Sequence, residues 1–321
     1  MKLSARIIAL ILSVVLLLPL TACGNKNYTV YEVGICQLVE HSAHDEATKG
    51  FIDALNYQFG EGNIRFDVQS AQNDLNLCSS IMNQFVSNDV DLILANATAA
   101  LQTAASSTNQ IPILGTSVTE YGVALDIDGF DGTVGGNISG TSDLAPLDEQ
   151  AKMIKEWVPD AKTCGLLYCS AEANSLYQID VVKKELEALG ITPKLYPFSD
   201  STEISSVCTI AAEETDVLYV PTDNTVASNA GIIDNICRPL KRVVIGGEED
   251  ISCAVAALSI SYYDLGYTTG LMAGKILRGE AEISEMPIEY TTAEKKYNKE
   301  LCDYLGLTAP EGYTPIANEE N

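Results

Sequence analysis

From Thr29 onward, short apolar runs alternate with longer stretches in which apolar residues recur every three or four positions. The runs read as buried strands and the longer stretches as helices that pack along one face. Strands are predicted at 30–38, 64–68, 91–95 and 111–114, with a shorter run at 123–125. Between them lie helical patterns at 45–59, 75–86 and an alanine-rich segment after Asn96-Ala97-Thr98. In the first of these, Ala47, Gly50, Phe51, Ala54, Leu55 and Phe59 share one helical face. Glycines then crowd the chain at 129, 132, 135, 136 and 140, and the alternation restarts. Strands are predicted at 163–169, 193–198, 216–220 and 242–245, and helices at 147–157, 175–189, 203–213 and 226–236. A strand at 254–261, a helix through Leu277, a strand at 287–291 and a helix at 298–305 complete the series. Strands separated by helices imply parallel sheets with right-handed crossovers. Two complete series around a glycine-rich passage predict an α/β protein of two lobes, with a hinge in that passage. The expected division is 29–139 with 255–279 in lobe 1, and 140–254 with 280–306 in lobe 2, followed by a tail at 307–321.

The amino terminus departs from this pattern. Lys2 and Arg6 precede an apolar run from Ile7 to Leu18, which is too short to cross a bilayer and reads as a signal peptide spanning residues 1–22. The ending Leu20-Thr21-Ala22-Cys23 resembles the lipobox of bacterial lipoproteins, which implies a lipidated Cys23 that tethers the chain outside the cytoplasmic membrane through a linker at 23–28. An acyl chain contributes roughly 0.8 kcal/mol per buried CH₂.

A formal charge of −25 argues against nucleic acid and anionic membrane surfaces as partners. Nine cysteines occur; the eight after Cys23 fall mostly at apolar positions, where Cys behaves as a small hydrophobe. His41 and His44 are the only histidines and no CxxC pair is present, so neither a metal site nor a cofactor is expected. No GxSxG, GxxxxGK[ST], GxGxxG or HExxH motif occurs, leaving carboxylates as the only acid–base groups for any enzyme reading.

The more specific signal is a set of polar corners at predicted strand ends. They are Glu40-His41, Asn96-Ala97-Thr98 and Thr116-Ser117 in the first series, and 170–175, Thr222-Asp223-Asn224-Thr225 and Glu249-Asp250 in the second. Ligands of open α/β sheets bind outside the carboxyl ends of the strands. Hydroxyls and helix N-termini suit a carboxylate, while an acidic side chain suits an ammonium group. Corners of both kinds point to a zwitterion, that is, an amino acid. Each corner alone is also a common helix cap or turn. The acidic run Glu248-Glu249-Asp250 reads either as a seat for a cation or ammonium group or as a solvated turn.

The stretches QLVEHSAHDEATKGFIDAL, VSNDVDLILANATAALQTAA, GNISGTSDLAPLDEQ, LLYCSAEANSLYQID, YVPTDNTVASN and SYYDLGYTTGLMAGKILRGE, with the ending NKELCDYLGLTAP, resemble the substrate-binding lipoproteins of ABC importers in the tryptophan/tyrosine-binding family. The resemblance runs from about Val33 to Pro310. It implies a type I periplasmic-binding-protein fold of two Rossmann-like lobes, with strands passing between them and ligand captured by hinge closure. It also implies delivery of an amino acid, most readily an aromatic one, to a membrane permease and its ATPase, with the receptor acting as a monomer and without catalysis. By position, the family's ligand-lining loops fall on Thr98, Ala99, Thr116, Ser117, Ser142, Glu172, Asn174, Ser175, Thr222, Asp223, Asn224 and Asp250. On this resemblance Asp223 or Asp250 is assigned to the ammonium group, and Thr98 and Ser175 to the carboxylate. Leu38, Phe51 or Tyr262 would flank a ring. Two departures, Tyr121 in a turn where relatives carry proline and Ser261 in place of an acid, are expected to alter pocket size or ligand class. The competing readings are a ligand-sensing lipoprotein of the same fold and an extracytoplasmic enzyme built on paired carboxylates.

Overall fold

The computed structural model describes residues 30–316. The signal-peptide segment, Cys23 and the linker lie outside the described residues, as do 317–321 of the tail. Lobe 1 runs β1 (Tyr31–Gln37), α1 (Ser42–Phe59), β2 (Ile64–Ser70), α2 (Leu75–Ser87), β3 (Leu92–Asn96), α3 (Thr98–Ser107), β4 (Ile113–Val118), α4 (Tyr121–Ala124) and β5 (Ile138–Ser142). Lobe 2 follows with α5 (Leu147–Trp157), β6 (Thr163–Cys169), α6 (Ala173–Ala188), β7 (Thr192–Phe198), α7 (Ile204–Glu214) and β8 (Val217–Val220). It continues through α8 (Asn224–Ala227), α9 (Ala230–Cys237), β9 (Val243–Gly246) and β10 (Ala256–Ile260). The long helix α10 (Tyr262–Leu277) returns to lobe 1, where β11 (Glu289–Tyr290) adds an edge strand. β12 (Ala293–Tyr297), α11 (Lys299–Leu305) and β13 (Thr314–Pro315) then complete lobe 2.

The first sheet is ordered β11-β5-β4-β3-β1-β2 with every pairing parallel, and the second β13-β12-β10-β9-β8-β6-β7 with β12 alone antiparallel to β10. Each sheet is covered on both faces, which is why its strands are apolar runs and not alternating ones. Successive residues serve opposite sides. Leu92 and Leu94 join Phe51, Leu55 and Met272, whereas Ile93 joins Ile81, Phe85 and Leu101. In lobe 2 Leu166 packs with Ile154 and Trp157, and Leu167 with Ile204 and Cys208. All eight cysteines of the described residues are buried free thiols.

These are the two parallel α/β lobes of a type I periplasmic binding protein, but the lobe boundaries differ from the sequence expectation. Strand β10, expected in lobe 1, pairs with β9 in lobe 2, and β11, expected in lobe 2, pairs with β5 in lobe 1. An apolar run specifies a buried strand without specifying which sheet receives it. The glycine-rich passage is also not the hinge. Gly129, Gly132, Gly135 and Gly136 take positive φ in turns that lead into β5, inside lobe 1. The chain crosses between lobes at 143–146, at Ser261 between β10 and α10, and at 291–292. The run at 123–125 lies mostly in the short helix α4 and not in a strand.

Helices α1 and α10 approach unusually closely. A Cβ on Gly266 would lie 1.9 Å from the Ala47 carbonyl oxygen, and one on Gly50 would lie 2.1 Å from that of Tyr263. Only glycine permits backbones this near, and the contact fixes where the second crossing, at Ser261-Tyr262, stands relative to lobe 1.

Candidate functional site

The carboxyl ends of both sheets face a shared cleft. From lobe 1 come the β1–α1 corner with His41, the β3–α3 corner with Ala97 and Thr98, and the β4–α4 corner with Ser117. Two of these hold left-handed backbone on non-glycine residues, Ala97 at φ 106° and Ser117 at φ 53°. Such strain clusters at ligand sites because the surrounding structure must over-determine it. Here the Ala97 N–H is pinned to the Thr116 carbonyl at 3.0 Å. Asn96 bridges beneath, donating to the His44 carbonyl at 2.9 Å and to the Thr48 hydroxyl at 3.0 Å. Both ring nitrogens of His41 and the hydroxyl of Ser117 are buried without a partner. Burial holds the His41 imidazole below its usual range, against the opposing pull of Asp250, Asn224, Asp45 and Glu172.

A cavity of about 420 Å³ opens between the lobes, lined by Leu38, Asn73, Thr98 and Ala99 on one side and by Glu172, Asn174, Asn224 and Thr225 on the other. This lies within the ~300–1,000 Å³ span of small-molecule pockets. At the cleft, two side-chain hydrogen bonds link the corners of the two lobes. Ser42 Oγ donates to Asp250 Oδ1 at 2.6 Å, and Asn73 Nδ2 meets the Thr225 hydroxyl at 3.4 Å.

The expected ligand residues divide into three groups. Thr98, Ala99, Glu172, Asn174 and Asn224 line the cavity. Ser117 and Asp250 stand at the lobe-facing ends, the former with its hydroxyl free and the latter bound to Ser42. The rest are engaged inside their own lobes. Asp223 is fully buried, and its carboxylate accepts from Cys169 N at 2.7 Å, Ser175 Oγ at 2.8 Å and Val226 N at 2.9 Å. That geometry corrects two assignments, because Asp223 braces the lobe 2 corner and does not present itself to an ammonium group, and the Ser175 hydroxyl is donated to it. Burial and the negative charge of Glu172 push the Asp223 carboxyl up to about 8, against those three donors. Thr222 is clamped by Gln178 through both backbone groups, at 3.0 and 2.9 Å. The Thr116 hydroxyl meets Thr141 at 3.3 Å, and Ser142 Oγ donates to the Thr119 carbonyl at 2.8 Å while accepting from Leu144 N at 3.1 Å. Ser142 thus shapes the first crossing.

Glu172 is itself held, with Oε1 accepting from Thr225 N and Oγ1 at 2.9 and 2.7 Å and Oε2 from Asn224 N and Nδ2 at 3.0 and 2.7 Å. It seats an anion on the start of α8 and sets Asn224 against the cleft. Of the three proposed ring neighbours, Leu38 lines the cavity, Phe51 is core and Tyr262 lies beneath the hinge. Tyr121 fills lobe 1, not the pocket. Its hydroxyl donates to the Thr141 carbonyl at 3.0 Å, in space left by Gly115 and Gly140. Ser261 is exposed and caps α10 through Asp264 N at 3.2 Å. Neither departure reaches the cavity lining.

Sequence reasoning passed over Asn73, and it named His41 and Thr225 as members of polar corners without assigning either to the ligand. His41 carried the clearest signal, a polar residue between a strand and a helix in a chain with only two histidines.

Residues 32–319 match the family model of the ABC transporter substrate binding protein. The chain is 37% identical over 264 residues to a tyrosine-binding protein of Clostridioides difficile (strain R20291), covering 80% of this chain and 75% of the relative. It superposes with TM-score 0.84 on a Streptococcus pneumonia ABC domain in complex with L-Trp, at 29% identity, covering 89% of this chain and 99% of that one. On the ligand-free, open structure of a Clostridium difficile substrate binding protein with adhesive properties the TM-score is 0.69. Identity there is 36%, and coverage is 90% and 100%. Proteins of this family bind a small molecule and work with an ABC permease and its ATPase; they are not enzymes. This chain belongs to the ABC transporter substrate-binding protein family.

Proposed function

We propose that the chain is the extracytoplasmic receptor of an ABC importer, tethered through Cys23 and acting as a monomer, which captures a zwitterionic amino acid with an aromatic side chain. The observation that carries this reading is the cleft itself. The ring nitrogens of His41, unpartnered at the end of β1, face Asp250, Asn224 and Glu172 of lobe 2 beside a cavity of small-molecule size lined from both lobes. The start of α3 at Thr98 offers backbone N–H groups to a carboxylate, and Leu38 and Ala99 offer apolar surface. The tyrosine-binding relative and the L-Trp complex support the aromatic choice.

A thermal-shift screen of the twenty amino acids tests the reading. A ligand at 100 times its dissociation constant stabilises the folded state by about 2.7 kcal/mol, a rise of roughly 5 to 10 °C for a chain this long. Tyrosine, tryptophan or phenylalanine is expected to give the largest rise. No shift with any amino acid, alongside a clear shift with a sugar or nucleoside, would overturn it.

A further inference from the structure

Beneath the hinge, Tyr262 Oη lies 2.6 Å from Glu248 Oε2 and 3.1 Å from Asp143 Oδ2. All three residues are at most 5% exposed. They arrive from three separate places: Asp143 from the first crossing, Tyr262 from the second, and Glu248 from the loop after β9. Gly247 sets the last of these, since a Cβ there would come within 2.5 Å of Thr222 N, so Glu248 stands against the corner that holds Asp223 and Asn224. One phenol proton cannot satisfy two carboxylates, and Asp143 Oδ1 is buried with no partner at all. The free Ser117 hydroxyl is close by in the chain, one residue before Val118, whose carbonyl accepts the Asp143 N–H at 3.2 Å. The groups acting on the two acids are hydroxyls and further acids: Thr119, Tyr262 and Tyr121 on Asp143, and Tyr262, Asp250, Asp143 and Asp223 on Glu248; none of these carries a positive charge. A buried pair of acids lacking a cation is costly unless a positive group comes from outside.

We propose that Asp143 and Glu248, held by Tyr262, form the seat for the ligand's ammonium group, so that the positive end of the zwitterion closes the hinge by joining the two crossings to lobe 2. This rests on the amino-acid reading above and names the residues that reading leaves open. Burial pushes the Asp143 carboxyl up to about 6 and the Glu248 carboxyl well above its usual range. An arriving ammonium favours the charged carboxylates, so binding releases a proton and affinity falls as the pH drops through 6. With one such group the dissociation constant rises about tenfold between pH 7 and pH 5. Burial holds the imidazole of His41, which faces Asp250 across the cleft, below its usual range, opposite in direction to the two acids.

The test is calorimetric titration of the wild type, Asp143→Asn and Glu248→Gln with L-tyrosine, L-tryptophan and L-phenylalanine at pH 5 and 7. The amino-free analogue 3-(4-hydroxyphenyl)propionate serves as a control, and the ligand-free melting temperature is recorded alongside. The expected result is wild-type binding that weakens about tenfold at pH 5. The analogue should bind at least tenfold more weakly than L-tyrosine, and both variants should lose at least tenfold with flattened pH dependence. Their ligand-free melting temperatures should be unchanged or raised, because an amide keeps the contact to Tyr262 while removing a buried charge. Wild-type affinity and an unchanged pH slope in both variants would overturn the seat while leaving the amino-acid reading intact. Absence of binding by the wild type to any of the three, with a response to a ligand lacking an ammonium group, would overturn both.

Discussion

Gly266→Leu is expected to lower the melting temperature by roughly 6 to 12 °C, about 3 kcal/mol at the usual few degrees per kcal/mol for a chain of this size. Overpacking a well-filled contact ordinarily costs 1–3 kcal/mol when flexible side chains can yield. Here the obstacle is backbone: the new Cβ would start 1.9 Å from the Ala47 carbonyl oxygen. Helices α1 and α10 would have to separate along a seam that also holds Gly50 and Gly270. The same separation would shift Tyr262 at the head of α10, so ligand affinity should fall with stability. Gly231→Ala is the matched control. It lies in α9 with nothing within 4 Å of its Cβ position, and should be neutral or stabilising by about 0.4–1 kcal/mol. A Gly266→Leu melting temperature within 2 °C of wild type would show that the seam is not tight.

Asp223→Ala is expected to destabilise lobe 2 by about 3 kcal/mol, through loss of a helix cap and exposure of buried donors. The N–H groups of Cys169 and Val226 and the Ser175 hydroxyl would lose their acceptor together. Relief of burying an acid offsets only part of this. Ser175→Ala removes a single donor and should cost about 1 kcal/mol. Chemical denaturation, read beside ligand affinity, separates a brace from a ligand contact. A brace lowers the denaturation midpoint first, and any loss of affinity follows from the displaced corner. An unchanged midpoint with a tenfold or greater loss of affinity would instead restore Asp223 as the residue that touches the ammonium group.

That outcome bears on what the sequence can disclose. The order of strands and helices was legible because each sheet is covered on both faces, which makes its strands apolar runs separated by helical periodicity. The polar corners were legible as well, because a strand that ends in Thr, Ser, Asn or Asp before a helix is conspicuous. Which member of a corner faces outward was not. Asp223 and Asp250 present the same local pattern, yet Asp223 turns inward to backbone N–H groups while Asp250 reaches Ser42 in the opposite lobe. A helix cap and a ligand contact use the same residue types, and only the third dimension separates them. Lobe membership was hidden for a related reason. Nothing in Ala256-Ala257-Leu258-Ser259-Ile260 says that it pairs beside Ile245 and not in the first sheet. The glycine-rich passage suggested a hinge by composition, but its glycines serve turns within lobe 1, whereas the crossing begins at Asp143, where Ser142 caps the turn. The Asp143–Tyr262–Glu248 cluster joins residues 119 and 14 positions apart, beyond the reach of any local pattern.

The most direct measurement of the central claim is a crystal structure of the protein with L-tyrosine, or with whichever amino acid gives the largest thermal shift. The account predicts the ligand enclosed between the lobes, with its carboxylate toward Thr98 and Ser117 and Asn224 and Asp250 closing over it. A ligand bound on the outer surface of either lobe, or an interlobe cleft left empty at saturating ligand, would contradict it.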